Sequence, residues 1–98
     1  MNDDTLLIHQ PTRLKIMAAL AALEDGAKVD FMLLADELEL TKGNLGAHLA
    51  KLEEARLVKV EKAFVNRKPK TWLSLTSRGR EVLLGYIREL ERVVRGKG

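Results

Sequence analysis

The hydrophobic pattern of this chain changes its period at Arg56 and changes back near Ser77. Before Arg56, apolar residues recur three or four positions apart, which is the spacing of an amphipathic helix. Between residues 58 and 75, apolar and polar residues alternate, as they do in a half-buried strand. From residue 77 to 95 the helical spacing returns. The sequence therefore predicts a mainly α-helical domain with one β-hairpin before its last helix, in the order α-α-α-β-β-α.

The length of 98 residues is that of one domain, and we expect residues 1–98 to share a single core. With 46% hydrophobic and 32% charged residues, the composition is typical of a folded domain. The chain contains no cysteine, which excludes disulfides, thiolate catalysis and thiolate metal sites. Its first residues are acidic, and no run approaches the ~20 apolar residues of a membrane span. We therefore expect no signal peptide, no membrane contact and a cytoplasmic location.

Charge is distributed unevenly along the chain. Residues 1–40 hold three basic and eight acidic residues, whereas residues 41–98 hold fourteen basic and six acidic residues. A basic surface on a small domain favours a polyanionic partner such as nucleic acid. Solvated lysines on an ordinary surface are the alternative interpretation for any single charge.

Three short helices are predicted in the first half of the chain. The first begins near Pro11 and ends at Gly26, since proline suits a first helical turn and glycine suits a helix end. Asp30 is a suitable N-cap for the second helix, and Thr41 caps the third, which runs to about Ala55. Two helices joined by a turn of three or four residues form a helix-turn-helix. We expect the second and third helices to form such a unit.

The alternating segment of residues 58–75 predicts two strands joined by a polar connection at residues 65–69, which forms the hairpin tip. A short strand around Ala27–Val29 is an optional third member of the sheet. At the N-terminus, the apolar segment Leu6-Leu7-Ile8 adds a turn that packs either on another element or on another subunit.

Several stretches together resemble the winged-helix transcriptional regulators of the MarR and ArsR type: "LAKLEEARLV", the basic hairpin after it, and "LSLTSRGREVL". The stretch "VDFMLLADELELTKGNLGAHLAKLEEARLVKV" resembles the small stand-alone members of that group. The resemblance implies a winged helix-turn-helix fold and DNA binding in transcription regulation. Two departures affect these expectations. Many relatives have glycine in place of Arg56, which puts the usual left-handed helix end in doubt, and a polar residue in place of Gly46 or Ala47, which removes base-reading side chains.

The third helix, residues 41–55, is the predicted recognition helix. Its leucines recur on one side, which leaves small and polar residues on the other to enter the major groove of double-stranded DNA. Thr41 and Lys42 are expected to meet phosphates, and Asn44 to pair with adenine. Small side chains would let the backbone approach the bases. The candidate DNA contacts on this helix are Thr41, Lys42, Gly43, Asn44, Ala47, His48 and Lys51.

Two residues of this helix have open alternatives. Gly46 either allows close approach to DNA or lets the second helix pack closely. His48 either contacts DNA or makes a structural hydrogen bond. His9 and His48 do not have the spacing of paired metal ligands, so we expect no metal site and no cofactor.

The hairpin of residues 58–75 is the predicted wing, which lies on the DNA backbone or in the minor groove. Arg67 is the best candidate for entering a minor groove, and Trp72 is interpreted as a packing residue that braces the wing. The alternative is a solvated turn that keeps an edge strand soluble. The candidate wing contacts are Lys62, Asn66, Arg67, Lys68 and Lys70.

The last helix, residues 77–95, is predicted to be capped by Thr76 or Ser77 and to dimerise the protein. Its apolar stripe is longer than a core of this size needs, so a second subunit is expected to cover the remainder. Packing within one subunit is the alternative. The candidate interface residues are Leu6, Leu7, Leu83, Tyr86, Ile87, Leu90, Val93 and Val94.

These features predict a sequence-specific transcriptional regulator that binds an inverted repeat in double-stranded DNA as a homodimer. The alternative is a winged-helix module for protein-protein interaction without specific DNA binding. No enzyme is expected, since the chain has no nucleophile-base set, phosphate-binding loop or metal cluster. A small-molecule effector, if one exists, would bind at the dimer interface or between the wing and the last helix.

Overall fold

Five helices and three strands make up the computed structural model, which describes residues 2–96. The predicted order is confirmed, with one additional helix at the N-terminus and the optional third strand present. The elements are α1 (Asp3–Ile8), α2 (Pro11–Ala21), β1 (Val29–Asp30), α3 (Phe31–Glu37), α4 (Lys42–Glu54), β2 (Val58–Val65), β3 (Lys68–Leu75) and α5 (Ser77–Val94).

The helices begin where short polar side chains cap them, because such side chains satisfy backbone amides left free in the first turn. Asp30, Thr41 and Thr76 accept hydrogen bonds from amides three residues ahead, at 3.2, 3.0 and 2.9 Å respectively, which confirms the three predicted caps. Two boundaries differ from the predictions. The N-terminal segment is a capped helix and not a single turn, and α2 ends at Ala21, ahead of the turn at Gly26.

The C-terminal end of α4 adopts the left-handed conformation that the arginine had put in doubt. Arg56 has a φ of 64°, and its amide donates to the carbonyl of Glu53 over 2.9 Å. The amide of Leu57 donates to the carbonyl of Leu52, also over 2.9 Å, which completes a Schellman motif. The motif turns the chain directly from α4 into β2, even though arginine is strained in this conformation where glycine would not be.

The sheet has the order β1-β3-β2, with both pairings antiparallel. Pairing of β2 with β3 continues as far as Val65 opposite Lys68, so the predicted five-residue tip is wrong. The tip is a two-residue turn formed by Asn66 and Arg67, with φ values of 52° and 66°. Two positive φ values identify a type I′ turn, whose twist matches that of the flanking strands. Strand β1, the optional strand of the prediction, pairs with β3 through Val29 and Leu73. It lies slightly later in the chain than the predicted segment Ala27–Val29.

The core lies between the helices and the inner face of the sheet. The leucines of α4 point into it as predicted, and Ile8 is completely buried, so α1 belongs to the core as well. Apolar side chains buried here supply most of the favourable free energy of folding. The largest fully buried side chains are Ile8, Ile16, Met17, Leu20, Leu34, Leu45, Leu52, Leu57 and Leu73.

The first turn of α5 is joined tightly to the segment that follows α4. The hydroxyl of Thr76 lies within hydrogen-bond distance of the carbonyl oxygens of Arg56 (2.7 Å) and Leu57 (3.0 Å), and the Thr76 amide donates to Leu57 over 3.1 Å. Gly79 packs directly on this backbone. A Cβ at Gly79 would overlap the carbonyl oxygen of Leu57 and lie 2.9 Å from Leu75 Cδ1. Only a glycine fits at this position. We call the contacts of Thr76 and Gly79 with the backbone of Arg56 and Leu57 the α4–α5 joint.

The C-terminal part of α5 extends away from the body of the domain. Every residue from 87 to 96 is exposed, including apolar side chains that continue the buried stripe of the same helix. Among the helices of residues 2–96, none combines the length and apolar character required to cross a membrane.

Candidate nucleic-acid interface

Helix α4 presents a face of small and polar side chains opposite its leucines. The predicted contacts on its first turns and outer side are exposed: Thr41, Lys42, Gly43, Asn44, Ala47 and Lys51. The Thr41 hydroxyl accepts from the Asn44 amide, so it is engaged as the helix cap. Asn44 lies in the first turn of the helix and is exposed to solvent. Such a face is compatible with a close approach to base edges.

The two glycines of this helix have open space around them. A Cβ added at Gly43 or at Gly46 would meet no atom within 4 Å outside the helix's own backbone. The interpretation in which Gly46 permits close packing of α3 is therefore wrong. Approach to a DNA groove remains the prediction for both residues.

We expect Gly46→Ala to raise the free energy of unfolding by about 1 kcal/mol, because alanine is the better helix former and its methyl group has room. Thermal or urea unfolding would measure the gain. Ala47→Gly, at the adjacent exposed position, is the matched control and should lose a similar amount. A Gly46→Ala protein less stable than the wild type would contradict the open environment seen here.

His48 is held from within the domain. Its Nδ1 lies 3.2 Å from Nη1 of Arg13, whose Nε donates to the carbonyl of Leu7 over 2.5 Å. Partial burial, followed by the positive charges of Arg13 and Lys51, lowers the pKa of His48. The neutral imidazole can therefore accept a hydrogen bond from the guanidinium of Arg13. This is the structural hydrogen bond that the sequence left as one alternative, and contact with DNA stays a prediction.

Arg13 itself was missed by the sequence analysis. It joins α1, α2 and α4 through its contacts with Leu7 and His48, and these partners lie 6 and 35 residues away in sequence. An isolated arginine in an acidic segment has no spacing signal that could identify such a role.

The acidic residue within the wing, Glu61, is paired with two lysines. Glu61 binds Lys28 through one carboxylate oxygen at 2.6 Å and Lys59 through the other at 2.9 Å. Hydrogen bonds from Lys28 and then from Lys59 lower the pKa of Glu61, which keeps this group ionised and paired. The outer part of the hairpin, residues 62–70, has no acidic residue of its own.

The predicted wing contacts separate into two groups. Lys70 lies with its Nζ 5.3 Å from the centroid of the Trp72 ring, a cation–π contact that supports a bracing role for the tryptophan. The other four, Lys62, Asn66, Arg67 and Lys68, are exposed. Within residues 2–96, the three cations among them form no salt bridge. They are the wing side chains best placed for an external anion.

Two arginines at the start of α5 are occupied within the domain. Arg78 forms an ion pair with Asp4 and donates to the carbonyl of Ala55 over 3.2 Å. Arg80 lies 3.4 Å from a carboxylate oxygen of Asp25. These cations tie α5 to neighbouring elements and are poor candidates for phosphate contacts.

The predicted dimer residues also fall into two groups. Leu83 and Tyr86 lie in the protomer's own core, 3% and 7% exposed, and so offer little surface to a second subunit, in contrast to the prediction. Tyr86 in addition shares a 2.7 Å hydrogen bond between its hydroxyl and Nδ1 of His9. Leu7 is half-buried against the same core. The remaining predicted residues, together with Leu84, which the sequence analysis missed, are exposed: Leu6, Leu84, Ile87, Leu90, Val93 and Val94.

In the part of the chain that the structure describes, no cluster of three histidine, aspartate or glutamate side chains is placed to hold a metal ion.

Comparison with known proteins gives consistent matches. Residues 12–94 match a family described as a winged helix DNA-binding domain. The chain is 37% identical over 84 residues to an uncharacterized protein of Methanocaldococcus jannaschii, covering 86% of this chain and 88% of that protein. It is similar in structure to a transcriptional regulator homologue from Pyrococcus horikoshii OT3, with a TM-score of 0.83 and 33% identity over 93% of this chain and 87% of that one.

A MarR-like transcriptional regulator from Thermotoga maritima shares the fold, with a TM-score of 0.64 and 23% identity over 100% of this chain and 69% of that one. The comparisons confirm the fold predicted from the sequence.

Proposed function

The chain belongs to the winged helix DNA-binding domain family, and from this premise we propose that it is a transcriptional regulator that binds specific sites in double-stranded DNA as a homodimer. The observation that carries the proposal is the outer wing, where Lys62, Arg67 and Lys68 are exposed and have no acidic neighbour between residues 62 and 70. A family of DNA-binding domains also agrees with the expectation that the protein is not an enzyme.

In this proposal α4 enters the major groove and the wing follows the backbone or the minor groove. Asn44 can pair with adenine through both polar atoms of its amide, while Lys42 and the wing cations meet phosphates. The small residues Gly43 and Ala47 keep the exposed face of α4 low, which shortens the distance between the helix backbone and the base edges. Phosphate contacts then supply most of the affinity.

The homodimer is supported by the exposed end of α5. The last eight residues of this helix, 87–94, are exposed, and a helical segment of that length is marginal in water without packing. Their apolar side chains form a stripe continuous with the core face of the same helix. A second copy of α5 would bury both stripes at once, as expected for a two-fold interface. Such a dimer would place two recognition helices in successive major grooves, ~34 Å apart, on an inverted repeat.

The proposal is tested by selecting bound duplexes from random DNA and by native gel shifts of the selected sites. A DNA-binding regulator should enrich an inverted repeat and give a shift that resists non-specific competitor. A protein-interaction module would enrich no sequence. A regulator must reach the chromosome, which lies in the cytoplasm of a cell without a nucleus. A cytoplasmic location is therefore part of the proposal.

We expect Arg67→Ala/Lys68→Ala to weaken binding to all duplex sequences alike, because phosphate contacts carry no sequence information. The slope of log affinity against log salt should become less steep by about 3.6, or about 0.9 for each of the four phosphate contacts that the dimer loses. Fluorescence anisotropy over a salt series would measure both effects. Lys15→Ala removes an exposed cation of α2, outside both proposed contact elements, and should leave the slope unchanged. Equal affinity and slope in the wing variant and the wild type would rule out the wing contacts.

A further inference from the structure

Phe64 is an aromatic side chain of the wing that the core of the domain does not cover. It lies in β2 and is 78% exposed, although large apolar side chains are normally covered. It faces the same side of the hairpin as Val60, which packs against the core, but lies beyond the end of that core. The apolar alternation of β2 therefore continues past the point at which the fold needs it.

The position of Phe64 on the wing is fixed by the strand register. It stands directly opposite Pro69, and Lys62 lies on the same face two residues earlier. The type I′ turn at Asn66 and Arg67 begins two residues after it. A tight turn and a long paired ladder hold the ring at one place near the tip, where a flexible loop would not.

The surroundings of this ring are cationic. Residues 62–70 carry four basic residues and no acidic ones, and Glu61 beside them is already bound by two lysines. A protein partner that covered Phe64 with an apolar pocket would also have to neutralise these cations. The wall of a DNA minor groove offers both features, because apolar faces of deoxyribose rings alternate there with phosphates.

We propose that Phe64 is an apolar anchor of the wing, packed against deoxyribose rings of the minor-groove wall when the tip lies in the groove. The proposal rests on the proposed function and adds to it a contact that does not depend on charge. Burial of a phenylalanine side chain has a favourable free energy that is insensitive to counterions, unlike a phosphate contact. Phe64 and Arg67 should therefore affect DNA binding in different ways.

The test compares wild type, Phe64→Ala and Phe64→Leu on a selected DNA site over a salt series. We expect Phe64→Ala to bind roughly tenfold more weakly or worse at every salt concentration, with an unchanged salt slope, and Phe64→Leu to fall between the two. Val65→Ala is the matched control, since Val65 is the next residue and points to the opposite face. It should bind like the wild type. Thermal unfolding should give the same midpoint for Phe64→Ala and the wild type, because the ring is exposed.

Hydroxyl-radical footprinting reports the deoxyribose contact directly, because the radical attacks sugars from the minor groove. The wild type should protect sugars at the position of the wing, and Phe64→Ala should lose that protection while keeping the protection due to α4. If Phe64→Ala binds DNA with wild-type affinity and an intact footprint, the anchor proposal is wrong and the proposed function stands. If the wild type selects no DNA at all, both are wrong.

Discussion

Gly79→Ala should lower the free energy of unfolding by about 3 kcal/mol or more, the largest effect we expect from a change of one methyl group in this chain. The added Cβ would overlap the carbonyl oxygen of Leu57. That oxygen belongs to backbone held by the Thr76 amide and by the Schellman motif at Arg56, so it cannot move aside as a flexible side chain would. The first turn of α5 would have to leave the core.

Urea unfolding followed by circular dichroism would measure the loss at Gly79. Gly85→Ala is the matched control in the same helix, since a Cβ at Gly85 meets no atom within 4 Å outside the helix's own backbone. That variant should gain about 1 kcal/mol from the better helix propensity of alanine. Equal stability changes in the two variants would show that the α4–α5 joint does not constrain Gly79.

Leu90→Glu should convert the proposed homodimer into monomers and weaken binding to an inverted repeat by about 100-fold or more. The side chain is 45% exposed in the protomer and lies in the apolar stripe that a second α5 would cover. Each subunit would then place a glutamate in the apolar, desolvated interface, which costs several kcal/mol. A monomer would retain only the contacts to one half-site.

Analytical ultracentrifugation and anisotropy with full and half-site DNA would measure the effects of Leu90→Glu. Arg92→Glu is a demanding control, because it makes a larger charge change two residues away, on the opposite side of the helix. It should remain dimeric. A wild-type protein that sediments as a monomer at micromolar concentration would exclude this interface, whatever the variants do.

The helix caps were predictable because the interactions that set them are local. Asp30, Thr41 and Thr76 each bind an amide three residues ahead, so residue type and position alone indicate the helix start. The core face of α4 was predictable for the same reason, since its leucines repeat with the helical period. The six-residue α1 was not, because its stability comes from burial of Ile8 in a core assembled from distant segments.

The hairpin tip shows where turn chemistry misled the prediction. Type I′ turns favour glycine or asparagine because both central residues have positive φ. Asn66 fits, but arginine is not a residue typical of such a turn, and the polar stretch of residues 65–69 was therefore predicted to be a longer connection. The register of the paired strands decides the outcome, since pairing continues as far as Val65 opposite Lys68 and leaves two residues to connect the strands.

Parts of the candidate site depended on contacts between distant segments. The stripe of α5 was visible in the sequence, but periodicity does not show where the body of the domain ends, so Leu83 and Tyr86 were grouped with the exposed residues. The environment of Gly46 was equally unpredictable, because the sequence does not show whether a glycine on a helix surface faces another helix or solvent. DNA contacts stay predictions at every residue.

In the proposed dimer, the α4–α5 joint would keep α4 and α5 of each protomer in a fixed relative position. The contacts of Thr76 with two carbonyl oxygens, together with the close packing of Gly79, fix α4 to α5. The distance between the two recognition helices of the dimer would then depend on how the two α5 helices pair. Each base pair inserted between the half-sites turns one of them by roughly 35° around the duplex axis. A dimer whose recognition helices are held in this way cannot follow that rotation, so the protein would bind operators with only a narrow set of spacings between half-sites.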